Sequence, residues 1–176
     1  MKILKPILLS ALAVAFIFAF AGSTEAKGPK GPSLVDVAIG VNSEGPYAGQ
    51  FDTLIAAVLA ADPAVLATLD GNGQHTVFAP VDDAFLALGL DENNIGDLPQ
   101  DALTQILLYH VANGRRDAQD VVSSDRIRTL QGGFLQVSGT VLTDNLDRQA
   151  NIIVTDVPAA NGLIHATDAV VLPFAP

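Results

Sequence analysis

The sequence predicts an α+β domain. Three observations carry this. Apolar residues recur at helical spacing through the first half of the chain. Short β-rich runs separated by Gly, Asn and Asp clusters fill the second half. One further β-rich run, His75 to Ala79, stands early and apart from the rest. Helices first and strands later, with β-runs well apart in the sequence, suit helices packed on one side of a sheet.

The elements follow in order. Lys2 and Lys5 precede an apolar run from Ile7 to Ala21 interrupted only by Ser10, and Gly22-Ser23-Thr24-Glu25-Ala26 is small and polar. That is the layout of a secretory signal peptide over residues 1–26, with a cleavage position after Ala26 and a second after Ala21. The apolar run, about 15 residues, falls short of the ~20 that span a bilayer. Residues 27–32 contain only Lys, Gly and Pro and read as a flexible tether. Residues 33–174 form the single domain.

Ser33 can cap a short helix running through Val41, and Asn42 to Gly49 reads as a loop. Phe51, Leu54, Ile55, Val58 and Leu59 form one helical stripe expected to be buried. Asp62-Pro63 ends that helix and starts another through Leu69, with Asp70-Gly71-Asn72-Gly73 as a turn. His75 to Ala79 is a buried strand closed by Pro80; Asp82 or Asp83 caps a helix from Ala84 to Leu88, ended by Gly89. Pro99 to Val111 is the clearest long helix, with Leu103, Ile106, Leu107, His110 and Val111 on one face and Asn113-Gly114 as its stop. Ile127–Leu130, Phe134–Val137, Val141–Leu142, Ile152–Thr155 and Leu163–Thr167 then read as strands of a meander.

Composition narrows the function. The chain has no cysteine, so no disulfide braces it and no lipid can be attached through an N-terminal cysteine. Removal of the leader takes away Lys2, Lys5 and Glu25 and moves the formal net charge from −10 to −11. Such a surface disfavours nucleic acid and anionic membranes, both of which select for clustered Lys and Arg. The catalytic signatures are missing: no cysteine nucleophile, no G-x-S-x-G elbow, no P-loop and no dinucleotide fingerprint occur. No catalytic residue and no cofactor are therefore assigned. His75, His110 and His165 lack the spacing of a preformed metal site, and no metal is assigned either.

Three segments in fixed order carry a resemblance: Thr76-Val77-Phe78-Ala79-Pro80-Val81-Asp82-Asp83-Ala84-Phe85, a helix ending in Leu108-Tyr109-His110, and Asn161-Gly162-Leu163-Ile164-His165-Ala166-Thr167-Asp168-Ala169-Val170-Val171-Leu172-Pro173. Together they resemble the fasciclin domain, an extracellular adhesion module, over roughly Ser33 to Pro173. The resemblance implies a β-sandwich or wedge with helices on one side, with Thr76, Phe78, Pro80, Phe85, Asn161, Gly162, His165, Asp168 and Pro173 as its structural positions. Ala166 and Thr167 stand where larger aliphatics are usual in the family, and Val81 where a Thr is usual, which removes a hydroxyl able to cap the next helix.

The resemblance also implies a function: an exported, non-enzymatic module adhering to a surface, matrix component or protein partner, secreted, periplasmic or at the cell surface. In the family the Tyr-His pair is linked to integrin recognition, so Tyr109 and His110 become partner-contact candidates. About 100° of helix separates them, which lets one be buried while the other faces outward. His110, on the apolar face, is expected to be a hydrogen-bonded core histidine tying helix to sheet. An Asp-Ile pair implicated in integrin binding in some animal members has its counterpart in Asp156-Val157. That pair is expected in a loop, Asp156 to Ala160, where an aspartate can complete the coordination of a receptor-held divalent ion or be an ordinary loop residue. Asn113-Gly114-Arg115 likewise resembles a receptor-binding tripeptide and serves equally as a helix stop. Some fasciclin-like proteins instead carry apolar pigments such as carotenoids, which is the competing reading.

Overall fold

A computed structural model describes residues 31–174. The signal peptide and most of the tether expected at residues 27–32 lie outside the described residues. The tether's last residue, Pro32, accepts a hydrogen bond from the Ala160 amide at 2.9 Å.

Helices dominate the first half. Helix α1, Leu34–Ser43, starts with a capping box: the Ser33 hydroxyl accepts the Asp36 amide, and the Asp36 carboxylate accepts the Ser33 amide. Helix α2 is Asp52–Ala60 and α3 is Pro63–Asp70, the latter capped by the Asp62 side chain on Ala64 N. Strand β1, His75–Pro80, leads into α4, Asp82–Leu86. After a 3₁₀ turn at Ile95–Asp97 comes α5, Gln100–Tyr109.

The second half runs β2 (Val111–Asn113), α6 (Ala118–Val122), β3 (Arg126–Arg128), β4 (Phe134–Ser138), β5 (Val141–Thr143), β6 (Gln149–Ala159) and β7 (Gly162–Thr167). These strands and β1 form a seven-stranded mixed sheet in the order β2-β1-β7-β6-β5-β4-β3. Only the β1–β7 pair is parallel. The sheet curls until its ends meet. Ala112 of β2 bridges Thr129, just past β3, and Leu130 N donates to Val111 O at 2.7 Å.

This curl explains why every residue of β1 and β7 is buried. One face of the pair packs under the helices, where Val77, Ala79, Ile164 and Ala166 join Leu34, Leu54, Val65, Leu103 and Leu107. The other face lies inside the wedge, where Phe78 meets Tyr109, Ile127, Leu135 and Leu142. Strands buried on both faces read as continuous apolar runs rather than alternating ones. The α+β architecture with helices on one side is therefore the one the sequence predicts.

Several local expectations are corrected. On α2 the buried residues are Thr53, Leu54 and Ala57, with Phe51 just before it, while Leu59 is 71% exposed. The small Ala57 lets neighbouring elements approach more closely than the larger aliphatics of the expected stripe would. Asp82 and Asp83 begin α4 instead of capping it; Val81 is its N-cap and offers no side-chain bond. The Asp82 carboxylate instead accepts the Asp52 and Thr53 amides, capping α2 from across the fold. Val111 belongs to β2, because pairing with β1 takes over its backbone groups. The five-residue α6 lacks a long apolar repeat and is held by its Asp117 cap. The expected loop Asp156 to Ala160 is, through Ala159, the end of β6.

Candidate functional site

Strand β6 carries two of the candidate residues, Asp156 and Val157, while Tyr109 and His110 stand apart at the end of α5. The pairing of β6 with β7 shifts register between Ile152 and Val154 and again between Val154 and Val157. Such an irregularity leaves an extra residue on one strand and bends it. Asp156 sits in the second shift with φ 60°, a conformation Asp tolerates better than most residues. The result is a change of phase: Ile153, Thr155, Asp156 and Pro158 are all exposed, while Val157 turns inward against the helical core.

Two bonds fix Asp156. Its Oδ1 accepts the Ala118 amide at 2.9 Å, and its own amide donates to His165 Nδ1 at 3.2 Å. His165 is fully buried, with its ring 5.8 Å from that of Phe78, and its Nε2–H donates to the Arg116 carbonyl at 2.9 Å. Thr76 completes this link: its hydroxyl donates to Gly114 O and accepts the Arg116 amide, both at 2.8 Å. His165 and Thr76 thus fasten the β2–α6 connection to the sheet, and Asp156 is the exposed end of that chain of bonds.

Asn161 and Gly162 organise the other end of the β6–β7 hairpin. The fully buried Asn161 accepts the Leu34 amide at 2.8 Å and donates to the carbonyls of Leu69 and Gly71, each at 2.7 Å. One side chain therefore ties α1 and α3 to the sheet. A side chain at Gly162 would collide with the His75 carbonyl oxygen, so the β1–β7 approach requires glycine. Asp168, exposed, accepts both the amide and the side-chain nitrogen of Asn151. Pro80 ends the β1–β7 pairing opposite Thr167, Phe85 is buried in the helical core, and Pro173 is half-buried at the C-terminal end.

Tyr109 and His110 are both buried, which corrects the expectation that one of them faces a partner. The Tyr109 hydroxyl donates to Phe134 O at 2.7 Å inside the wedge. His110 is the C-cap of α5. Its Nδ1–H donates to Ile106 O at 2.8 Å, and Nε2 accepts the Val171 amide at 3.2 Å. Burial pushes the ring's pKa down to about 4, outweighing the opposing pull of the Ile106 carbonyl and the Asp144 charge. The His110 carbonyl accepts the Phe78 amide of β1 at 2.9 Å, tying the helix to the sheet as expected, while the ring ties it to the segment that follows β7.

Asp144 was not singled out by the sequence. Its buried carboxylate accepts the amides of Leu146, Arg148 and Leu172 and pairs with the Arg148 guanidinium at 2.8 Å. The spacing Asp144-x-x-x-Arg148 was its one available signal. Among the described residues no group of three or more His, Asp or Glu is placed to hold a metal ion.

Two apolar clefts flank His110. One, of about 120 Å³, lies among α1, α2, α3 and the sheet and opens near Ile39 and Leu59. The other, of about 370 Å³, lies beside α5 and opens near Leu88 and Phe174. Leu54, Leu107 and His110 line both.

Comparison with known proteins agrees with this framework. A family profile described as the fasciclin domain matches residues 49–173. Protein sll1483 of Synechocystis is 38% identical over 146 residues, covering 80% of this chain and 73% of that protein. The transforming growth factor-beta-induced protein ig-h3 of Sus scrofa is 34% identical over 128 residues, 70% of this chain but 18% of that much longer protein. Among solved structures, a FAS1 domain pair from the insect cell adhesion molecule fasciclin I matches with a TM-score of 0.53 at 22% identity, covering 65% of this chain and 42% of that one. That structural likeness speaks to the fold alone. The profile match over most of the chain, together with the Asn161–Gly162 and His165 arrangement, places this protein in the fasciclin domain family.

Proposed function

We propose that this protein is an exported, non-enzymatic adhesion module whose contact surface is the outward row of β6 around Asp156. The observation that carries the reading is the presentation of Asp156. The register shift brings its carboxylate to the surface, and the Ala118 amide holds one oxygen, while the other makes no hydrogen bond among the described residues. A carboxylate fixed in this way loses little entropy on binding and can complete the coordination shell of a divalent ion held by a receptor. Ile153 and Pro158, both exposed, add apolar contact on the same strand. Val157 faces inward and supports the strand; Tyr109 and His110 act as framework. Export to the cell surface, periplasm or medium follows from the signal-peptide pattern.

The test is Asp156→Asn. Asn tolerates the left-handed backbone and can still accept the Ala118 amide, so the fold should be kept while the charge is lost. Retention of matrix or cell-envelope material on a protein-coated surface should drop several-fold at an unchanged melting temperature. Undiminished retention removes Asp156 from the reading.

A second reading is carriage of an apolar small molecule such as a carotenoid. It draws support from the two apolar clefts that meet at Leu54, Leu107 and His110. Organic extraction of the natively purified protein, followed by mass spectrometry and visible spectroscopy, separates the two readings.

A further inference from the structure

The positive charges of this protein are unusually placed. Between residues 31 and 174 there are eighteen acidic residues and five basic ones; all five are arginine, and four of them fall between Arg115 and Arg128. On so acidic a surface ion pairing would be the ordinary outcome. Yet the one salt bridge among the described residues joins Arg148 to Asp144.

The four clustered arginines have distinct surroundings. Arg115 donates to Ala159 O, and Arg126 lies over the Phe134 ring at 4.7 Å. Arg116 and Arg128 line an open cleft of about 430 Å³ where β2 meets β3, together with Asn113, Thr129, Leu130 and Gly132. No carboxylate lines it. Among the described residues neither guanidinium makes a side-chain hydrogen bond, and Arg116 Nε is buried without a partner. Asp117, the acid next to Arg116 in sequence, does not line the cleft, and its Oδ1 accepts the Asp120 amide. Two forked cationic donors therefore line one space that no carboxylate lines.

We propose that this cleft binds the carboxylate or sulfate group of an acidic sugar. A guanidinium fork matches an oxyanion bidentately. The Asn113 amide, exposed at the rim, can donate to or accept from ring hydroxyls. The volume falls in the range of small-ligand sites and can hold a sugar ring. Phe134 pairs with Arg128 across β3 and β4, and its ring is already covered on one side by Arg126, so the guanidinium pair and Asn113 carry the recognition. The acidic remainder of the protein repels a densely charged ligand such as a nucleic acid or an anionic bilayer. A single acid group on an otherwise neutral ring meets no such barrier. Asp156 does not line the cleft, although His165 links its amide to the Arg116 carbonyl, and the proposal stands whether or not the Asp156 surface is adhesive.

The experiment is calorimetric and NMR titration of the exported protein with glucuronate, galacturonate, neutral glucose and inorganic sulfate. Both sugar acids should bind, more weakly as ionic strength rises. Glucose should not bind, and sulfate should bind more weakly than either acid. Arg128→Gln, an exposed position, should weaken sugar-acid binding roughly tenfold with an unchanged circular dichroism spectrum, the loss of one charge-assisted contact. Failure of both sugar acids to bind at about 10 mM would overturn the proposal. So would undiminished binding by the folded Arg128→Gln variant, or sulfate binding as tightly as the sugar acids.

Discussion

His110 and Val171 are joined by a single buried bond, the Val171 amide donating to the ring's Nε2 at 3.2 Å. Because the ring's other nitrogen donates to Ile106, protonation of Nε2 would set two N–H groups against each other. In the unfolded chain this histidine titrates near 6.5, and in the fold at about 4. Between those values the unfolded state holds the extra proton, so acid favours unfolding. The contribution is fully present above about pH 6.5 and declines as pH falls towards 4, by up to about 3 kcal/mol. Melting curves across that window should show the decline. His110→Ala should cost about 1–3 kcal/mol at neutral pH and flatten the slope that remains. An equally steep slope in the variant would assign the pH dependence to other groups.

Gly162 packs so closely on the His75 carbonyl that an added Cβ would clash with its oxygen. Gly162→Ala should destabilise by roughly 3 kcal/mol or more, since the added carbon meets backbone and not a movable side chain. Chemical denaturation measures this directly; a loss below 1 kcal/mol would mean that β1 and β7 can separate cheaply.

Asn161→Ala removes three hydrogen bonds in one step, two buried and one partly buried. A loss of about 3 kcal/mol is expected, with faster amide exchange at Leu34, whose N–H is left without an acceptor. Hydrogen-exchange mass spectrometry covering the start of α1 checks the local part.

Asp82 and Asp83 are neighbours with different work. Asp82→Ala should cost about 1–2 kcal/mol by uncapping α2, whereas Asp83→Ala should lie within about 0.5 kcal/mol of the parent. Equal effects would argue against the remote cap.

Intact mass of the exported protein should lack residues 1–26 or 1–21, following the charged start, apolar run and small residues of the leader. Met1 on the exported chain would remove the signal peptide.

The sequence made the framework readable where periodicity and caps acted locally. Ser33, Asp62 and Pro63 mark helix starts that the structure reproduces. What was hidden depends on partners distant in the chain. Asp82 looks like a local cap and is a remote one. Asp156 reads as a loop residue because a register shift leaves no mark in alternation. Arg116 and Arg128 become a pair only when β3 curls back to β2. The face of α2 was misjudged because a small alanine, not a large aliphatic, is what close packing selected.

The parallel pairing of β1 with β7 joins His75 to Gly162, so two adjacent interior strands of the sheet belong to distant parts of the chain. Closing so long a loop costs entropy that local contacts do not recover. The first helices cannot complete their core until the last strand has been made, because Ile164 and Ala166 form part of its floor. A polypeptide emerging in order from its N-terminus therefore stays unfinished, and threadable, until β7 has been synthesised.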